Sequence, residues 1–239
     1  MNITFSKWVQ YYRRNNQNLK YIHWDDHYKL TTNEREIIIK SLQQFQLGEN
    51  SEGKHLIKRA QEYVHQTQDQ DYYEALIEFI KEEQRHARDL GRFMKVQGIP
   101  LLRRHWVDNV FRRLRQYASL EQSVIVLLTA EIIAKLYYKA LQKSTNSEVL
   151  IDLCNQILSD EEKHVQFQSE TLHKFARNRN VLFNRIVYIL RRILFEGTLI
   201  IVWYQHKPVF KAGGYKLKSY YYECRHEFNL TKKIIANSQ

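Results

Sequence analysis

The sequence predicts an all-α protein: a four-helix bundle with one long crossover and additional C-terminal helices. Three observations carry that prediction. Only two prolines and seven glycines punctuate 239 residues, too few for the turns of a β-sandwich or barrel but sufficient for long helices. Apolar residues recur at helical spacing in four long stretches. Those stretches pair around two short polar turns, with a longer basic connection between the pairs. A hydrophobic content of 44% and a charged content of 26% describe a globular chain and exclude disorder or collagen-like repeats.

Residues 1–32 read as an N-terminal extension that lacks the apolar core of a signal peptide. A first helix is predicted from Asn33 to about Gln66, with Ile38, Leu42, Phe45, Leu56 and Tyr63 on its stripe and Asn33 and Glu36 as a capping box. The polar string Thr67 to Asp71 is the first turn. A second helix carries Tyr73, Leu76, Phe79, Leu90 and Phe93 and ends near Gly98-Ile99-Pro100, because the residue before a proline is disfavoured in a helix. Residues 101–118 are basic, irregularly amphipathic and suited to a crossover. A third helix runs from about Leu120 to Lys143, a turn follows at Ser144 to Ser147, and a fourth helix spans about Glu148 to Ala176. Residues 33–178 thus form the bundle, and residues 179–239 form a helical appendage. That appendage holds a more apolar helix from Val181 to about Gln205 and a short last helix after Gly213-Gly214.

Cys154 and Cys224 make no CxxC pair and no disulfide framework, which suits a reducing compartment and predicts a cytoplasmic protein. The most apolar stretch, Ile186 to Tyr204, is interrupted by Arg191, Arg192 and Glu196, so no membrane span is expected. The net charge of +11 is unevenly placed: residues 174–239 hold 13 Lys and Arg against 3 Asp and Glu, whereas residues 1–173 are almost neutral. There the cations are interleaved with aromatic residues. That mixture suits peripheral contact with an anionic membrane surface or an RNA backbone, or else a solvated cap whose aromatic residues pack on the bundle.

Each predicted bundle stripe is interrupted by an acid at mid-length: Glu52, Glu83, Glu131 and Glu161. Buried ionised carboxylates are costly unless neutralised, and four converging in one bundle call for cations. His86 and His164 follow Glu83 and Glu161 by three residues, a spacing that points both side chains to one side of a helix. The spacing alone discriminates poorly, since Glu52/His55, Glu62/His65, Glu170/His173 and Glu223/His226 share it. Position separates them. Glu170/His173 lies off its stripe and Glu223/His226 in the basic tail, so both read as solvated faces. Glu52 and the Glu83/His86 pair are nearly equidistant from the first turn, and Glu131 and the Glu161/His164 pair from the second, each by about 15 residues or ~22 Å. Glu49, one turn before Glu52, is the rival first-helix position, and His55 is expected to face outward. Tyr63, Tyr137 and Tyr138 lie near enough in sequence for redox chemistry, although packing is their simpler role.

One Glu on a first helix, ExxH on a second, Glu on a third and ExxH on a fourth resembles the ferritin-like di-iron carboxylate superfamily. Ser159-Asp160-Glu161-Glu162-Lys163-His164 is similar to the D-E-x-x-H run of aldehyde-deformylating oxygenases and ribonucleotide reductase small subunits. The resemblance implies a ferritin-like bundle in which Glu83 and Glu161 bridge two metal ions. Glu52 with His86 would complete one site and Glu131 with His164 the other, while Asp160 would accept a hydrogen bond from a ligand imidazole, His86. Oxygen and imidazole donors suit Fe/Fe, with Mn/Fe as the other pairing. The implied activity is dioxygen-dependent oxidation or oxygenation of a small or hydrophobic substrate with an external electron donor. A ferroxidase or iron-handling protein, or a tRNA-modifying hydroxylase using the basic tail, are the alternatives.

Overall fold

The computed structural model describes residues 4–50, 53–105, 118–177 and 179–236. Among them are eight helices and no strand: α1 (Ser6–Gln17), α2 (Thr32–Glu49), α3 (Lys54–Thr67), α4 (Gln70–Val96), α5 (Leu120–Gln142), α6 (Glu148–Ala176), α7 (Val181–Ala212) and α8 (Leu217–Ala236). The first bundle helix is the α2–α3 pair, and α4, α5 and α6 are the other three. α5 and α6 form the most extensive pairing, α2 and α3 lie against α4, and α7 and α8 pack against α5 and α6 from outside. The crossover predicted for residues 101–118 falls largely outside the described residues.

The helix boundaries follow local chemistry. Ser119 and Gln122 form a capping box at α5, Ser147 caps α6, and Asp69 caps α4. α4 stops at Gly98, whose positive φ of 66° lets the Ile99 amide reach back to the Met94 carbonyl at 2.8 Å before Pro100. At α2 the capping box is Thr31/Glu34, not Asn33/Glu36. Thr is the better placed cap there because Glu34 does more than close the helix. Its Oε2 accepts from the Thr31 amide (2.7 Å) and the Tyr28 hydroxyl (2.8 Å), and its Oε1 accepts from the Asn146 amide (2.8 Å) and the Thr145 hydroxyl (3.0 Å). One buried carboxylate therefore ties the start of the first bundle helix to the turn between α5 and α6.

The single first helix expected over residues 33–66 is interrupted. Gly53 takes a left-handed φ of 63°, and a Cβ there would lie 2.8 Å from Ile80 Cδ1, so the chain both turns and passes close to α4 at this point. The N-terminal extension also has a structural role. Phe5, Trp8, Val9 and Tyr12 are buried, with rings meeting Tyr72 and Phe167 at 5.0–5.7 Å, so α1 caps α4 and α6 with an aromatic cluster. α7 runs seven residues past Gln205 to Ala212, through Pro208. Pro208 is exposed near the end of the helix, and the carbonyl it deprives of a helical donor belongs to Tyr204, itself an exposed residue. Gly213 then allows backbone contact with α5: a Cβ there would fall 2.6 Å from the Cα of Ala140.

The Asn146 and Thr31 amides and the Thr31 and Tyr28 hydroxyls hold the Glu34 carboxyl at about 2 even though burial works in the other direction. The linked stability is complete above the ordinary carboxylate value and is lost as pH falls through about 2. Glu34→Gln is expected to lower unfolding stability at neutral pH by ~1–2 kcal/mol and to flatten the acid limb, read by urea titration across pH.

Candidate metal centre

Each bundle helix sends a charged or imidazole side chain to one level of the interior. α2 supplies Glu49, α4 supplies Glu83 and His86, α5 supplies Glu131, and α6 supplies Glu161 and His164. Their potential ligand atoms form two groups, Glu49/Glu83/His86/Glu161 and Glu83/Glu131/Glu161/His164, and within each group all the atoms lie within 4.8 Å of one another. The groups share Glu83 and Glu161. His86 Nδ1 stands 3.6 Å from Glu83 Oε1 and 3.9 Å from Glu161 Oε1, and His164 Nδ1 stands 3.1, 3.7 and 3.9 Å from Glu83, Glu161 and Glu131. Glu161 and His164 are wholly buried, and His86 is nearly so.

The imidazoles are fixed from behind by a crossed pair of acids. His86 Nε2 donates to Asp160 Oδ2 at 3.0 Å, and His164 Nε2 donates to Glu82 Oε2 at 2.9 Å. Each acid directly precedes the inward Glu of its own helix and holds the histidine of the opposite one. Because a carboxylate only accepts, Nε2 carries a hydrogen in each ring, which leaves the inward-facing Nδ1 as the atom that can meet a metal. Arg85 reaches Asp160 at 2.6 Å and Glu82 at 3.7 Å. Asn15 of α1 donates to both acids, at 2.8 Å to Asp160 and 2.5 Å to Glu82, and Gln156 adds bonds of 3.0–3.1 Å to Asp160. Against the cost of burial, His86 and Arg85 hold the Asp160 carboxyl well below the usual range.

The inner groups behave oppositely. Burial, reinforced by the neighbouring acids, pushes the Glu49, Glu83 and Glu161 carboxyls up. Burial would do the same to Glu131, but Glu161 and His164 beside it hold it down. His164 is driven up despite its burial by the carboxyls of Glu131, Glu161, Glu82 and Glu83. Glu83 Oε1, His86 Nδ1, both oxygens of Glu161 and His164 Nδ1 are buried without a hydrogen-bond partner among the described residues. Buried polar atoms left unpaired cost ~1–3 kcal/mol each. These five are oxygen or imidazole donors that converge on one place, which is what a pair of cations requires.

Among the predicted positions, Glu83, His86, Glu131, Glu161 and His164 come together, with Asp160 on His86. Glu52 lies outside the described residues; among those described, the first-helix member of the constellation is Glu49, whose Oε1 also accepts from the Tyr138 hydroxyl at 2.7 Å. His55 is exposed. Tyr137 is buried and stacked on Phe45 at 3.4 Å, and Tyr63 packs against Tyr72 and Phe175. Glu170/His173 is not a solvated face. Trp8 Nε1 and Lys7 Nζ bond Glu170, and His173 Nδ1 donates to the Ile235 carbonyl, because α1 and α8 cover this side of α6. Helical spacing alone does not mark Glu82, although the run Glu82-Glu83-Gln84-Arg85-His86 parallels Asp160-Glu161-Glu162-Lys163-His164.

A cavity of about 160 Å³ opens beside Glu49, Glu83 and Glu131. Phe45, Leu127, Ile133 and Val202 make its walls largely apolar, and Thr198, His105 and His206 add polar groups. His206 Nδ1 lies 2.7 Å from the Ser41 hydroxyl, and burial lowers its pKa to about 3, so the ring is neutral at pH 7.

No family model and no curated protein sequence matches the chain. Its fold is similar to that of a solved structure of a mutant R2-like ligand-binding oxidase with an aerobically reconstituted Mn/Fe cofactor. The TM-score is 0.62 at 15% identity, covering 98% of this chain and 95% of the other. The fold is therefore ferritin-like. No helix among the described residues is long and apolar enough to cross a membrane.

Removing one charge from the buried acids is expected to relieve the metal-free protein. In the presence of a chelator, Glu161→Gln raises the thermal midpoint by ~2–4 °C, as ~1–2 kcal/mol of repulsion is lost. Added metal ions are expected to raise the midpoint of the parent chain and to leave that of the variant almost unchanged. An equal metal-induced shift in both proteins would contradict this.

Proposed function

We propose that the chain is a di-metal oxidoreductase that uses dioxygen to oxidise or oxygenate a small or hydrophobic substrate, with an external donor supplying electrons. The observation that carries this reading is the pair of overlapping carboxylate–imidazole groups, sharing Glu83 and Glu161 and facing an apolar cavity. Glu49 and His86 would complete one metal position, and Glu131 and His164 the other. The donor set suits iron or manganese. An iron pair is the first assignment, and Mn/Fe, the pair carried by the solved structural neighbour, is the second. When bound, the metals supply the binding and reduction of dioxygen.

The protein's own groups do the rest. Asp160 and Glu82 orient the imidazoles so that both Nδ1 atoms face inward. Arg85 and Asn15 hold those two acids in place. Tyr138 fixes one oxygen of Glu49 and leaves the other to turn toward the interior. The apolar walls exclude water from the cavity, while neutral His206, braced by Ser41, and Thr198 can hydrogen-bond the polar end of a substrate without charging it.

Metal analysis after anaerobic loading with ferrous iron, alone or with manganous ion, is expected to give two metals per chain and rapid oxygen uptake at an electrode. Less than one metal per chain, or a loaded protein inert to oxygen, would sink the reading. Glu131→Ala and His86→Ala should each abolish uptake of at least one ion. Glu82→Ala, which leaves every inner group in place, should weaken metal affinity by about 10–100-fold, measured by competition with a chromophoric chelator.

A further inference from the structure

α7 has two faces of opposite use. Its inner face packs Phe195, Leu199 and Trp203 into the core and turns Thr198, Val202 and His206 toward the cavity. On the outer face Leu182, Ile186, Ile189, Ile193, Ile200 and Tyr204 recur at helical spacing, and each is 48–67% exposed. They form an apolar ridge that spans ~33 Å and is interrupted at mid-length by Glu196 and Gly197. Single exposed aliphatic residues are ordinary on a protein surface, but an aligned series of them marks a contact surface.

The charge around the ridge identifies the contact. Arg185, Arg192, Lys207, Lys211 and Lys218 are exposed along α7 and the start of α8, and none is paired with a carboxylate among the described residues. The three acids of residues 174–239 are all engaged within the fold: Glu196 with Arg225 at 2.8 Å, Glu227 with Lys135 at 2.6 Å, and Glu223 as acceptor from the Tyr215 hydroxyl at 3.3 Å. The positive surplus is therefore undiluted. Two copies meeting through this face would bring their cations together, and five of the six ridge residues are aliphatic, a surface that suits acyl chains better than the stacking of RNA bases. An anionic bilayer satisfies both halves of the surface, taking the aliphatic side chains among its acyl chains and the cations at its phosphates. Tyr204 and Tyr222, both exposed beside a groove that also contains Lys218 and Arg225, sit where aromatic side chains settle at headgroup depth.

We propose that the outward face of α7, with the cations flanking it, seats the protein on an anionic lipid membrane surface, α7 lying in the interface plane. The proposal is independent of the metal reading, because no metal-binding residue lies on this face.

Flotation of the full-length chain with vesicles of phosphatidylcholine, alone or mixed with phosphatidylglycerol, tests it. The chain is expected to float with the mixed vesicles and to do so less at high salt. Ile189→Glu/Ile193→Glu should lower vesicle affinity by about tenfold or more with unchanged circular dichroism and thermal midpoint, since both positions are already in water. Lys207→Gln/Lys211→Gln should weaken binding and reduce its salt dependence. Three results would each overturn the proposal: no flotation with either vesicle, parental flotation by the double-Ile variant, or a dimer in light scattering that the double-Ile variant converts to monomer. Retardation by tRNA combined with failure to float would assign the basic surface to nucleic acid instead.

Discussion

Four carboxyl groups meet inside the bundle with only two imidazoles to answer them, and that imbalance governs the middle of the molecule. A buried carboxylate costs several kcal/mol even after relaxation, and apolar side chains of similar size would make a more stable core. Glu49, Glu83, Glu131 and Glu161 nevertheless occupy interior positions on four different helices. Without cations the site can relieve its charge only by taking up protons. That is the direction in which burial and mutual repulsion drive Glu49, Glu83 and Glu161. Protons and metals thus compete for the same oxygens, so metal affinity should fall with decreasing pH.

A second layer makes the first one specific. Asp160 and Glu82 face outward from the centre, each bonded to the histidine of the opposite helix, so α4 and α6 can hold their imidazoles correctly only together. Two further acids so close would add to the repulsion, and Arg85 lies between them as the neutralising charge. Asn15 completes the layer by donating to both. This explains why α1 is fastened down by a buried aromatic cluster and by Trp8 and Lys7 on Glu170. The N-terminal segment is the outer wall of the site, and its own residues enter the hydrogen-bond network that orients the donors.

The sequence made legible what depends on regular periodicity. The bundle helices α4, α5 and α6, the two turns, and the convergence of Glu83, His86, Glu131, Glu161 and His164 all follow from 3.6-residue spacing and distance from a turn. Distance arithmetic carries less where a helix is not continuous. α2 ends at Glu49 and α3 starts after Gly53, so a count from the turn runs through the break; among the described residues the first-helix group that reaches the interior is Glu49, and Glu52 lies outside them. Gly48 and Gly53, with Asn50 and Ser51 between them, were the local sign of that break. Contacts that depend on packing of distant segments left no such sign. Nothing within α6 tells that Glu170 and His173 are covered, because the covering residues come from α1 and α8. Glu82 was readable in principle from the parallel between its own run and that of Asp160, but an acid beside an acid on a helix is more often solvated, and only the fold turns it toward His164.

The positive surplus and the buried acids belong to different parts of one design, and α7 joins them. Its inner residues border the cavity, its outer residues form the apolar ridge, and a helix is only about 10 Å across with its side chains. A hydrophobic molecule that must cross water to reach a cavity loses ~0.8 kcal/mol for every exposed methylene. With α7 seated on lipid, the cavity lies one helix thickness from the bilayer, and a lipid-phase substrate need expose little of itself on the way in. The same placement would turn the cations toward the headgroups and leave the nearly neutral bundle above the surface, so a membrane contact through this face would not draw on the buried carboxylates of the candidate metal centre.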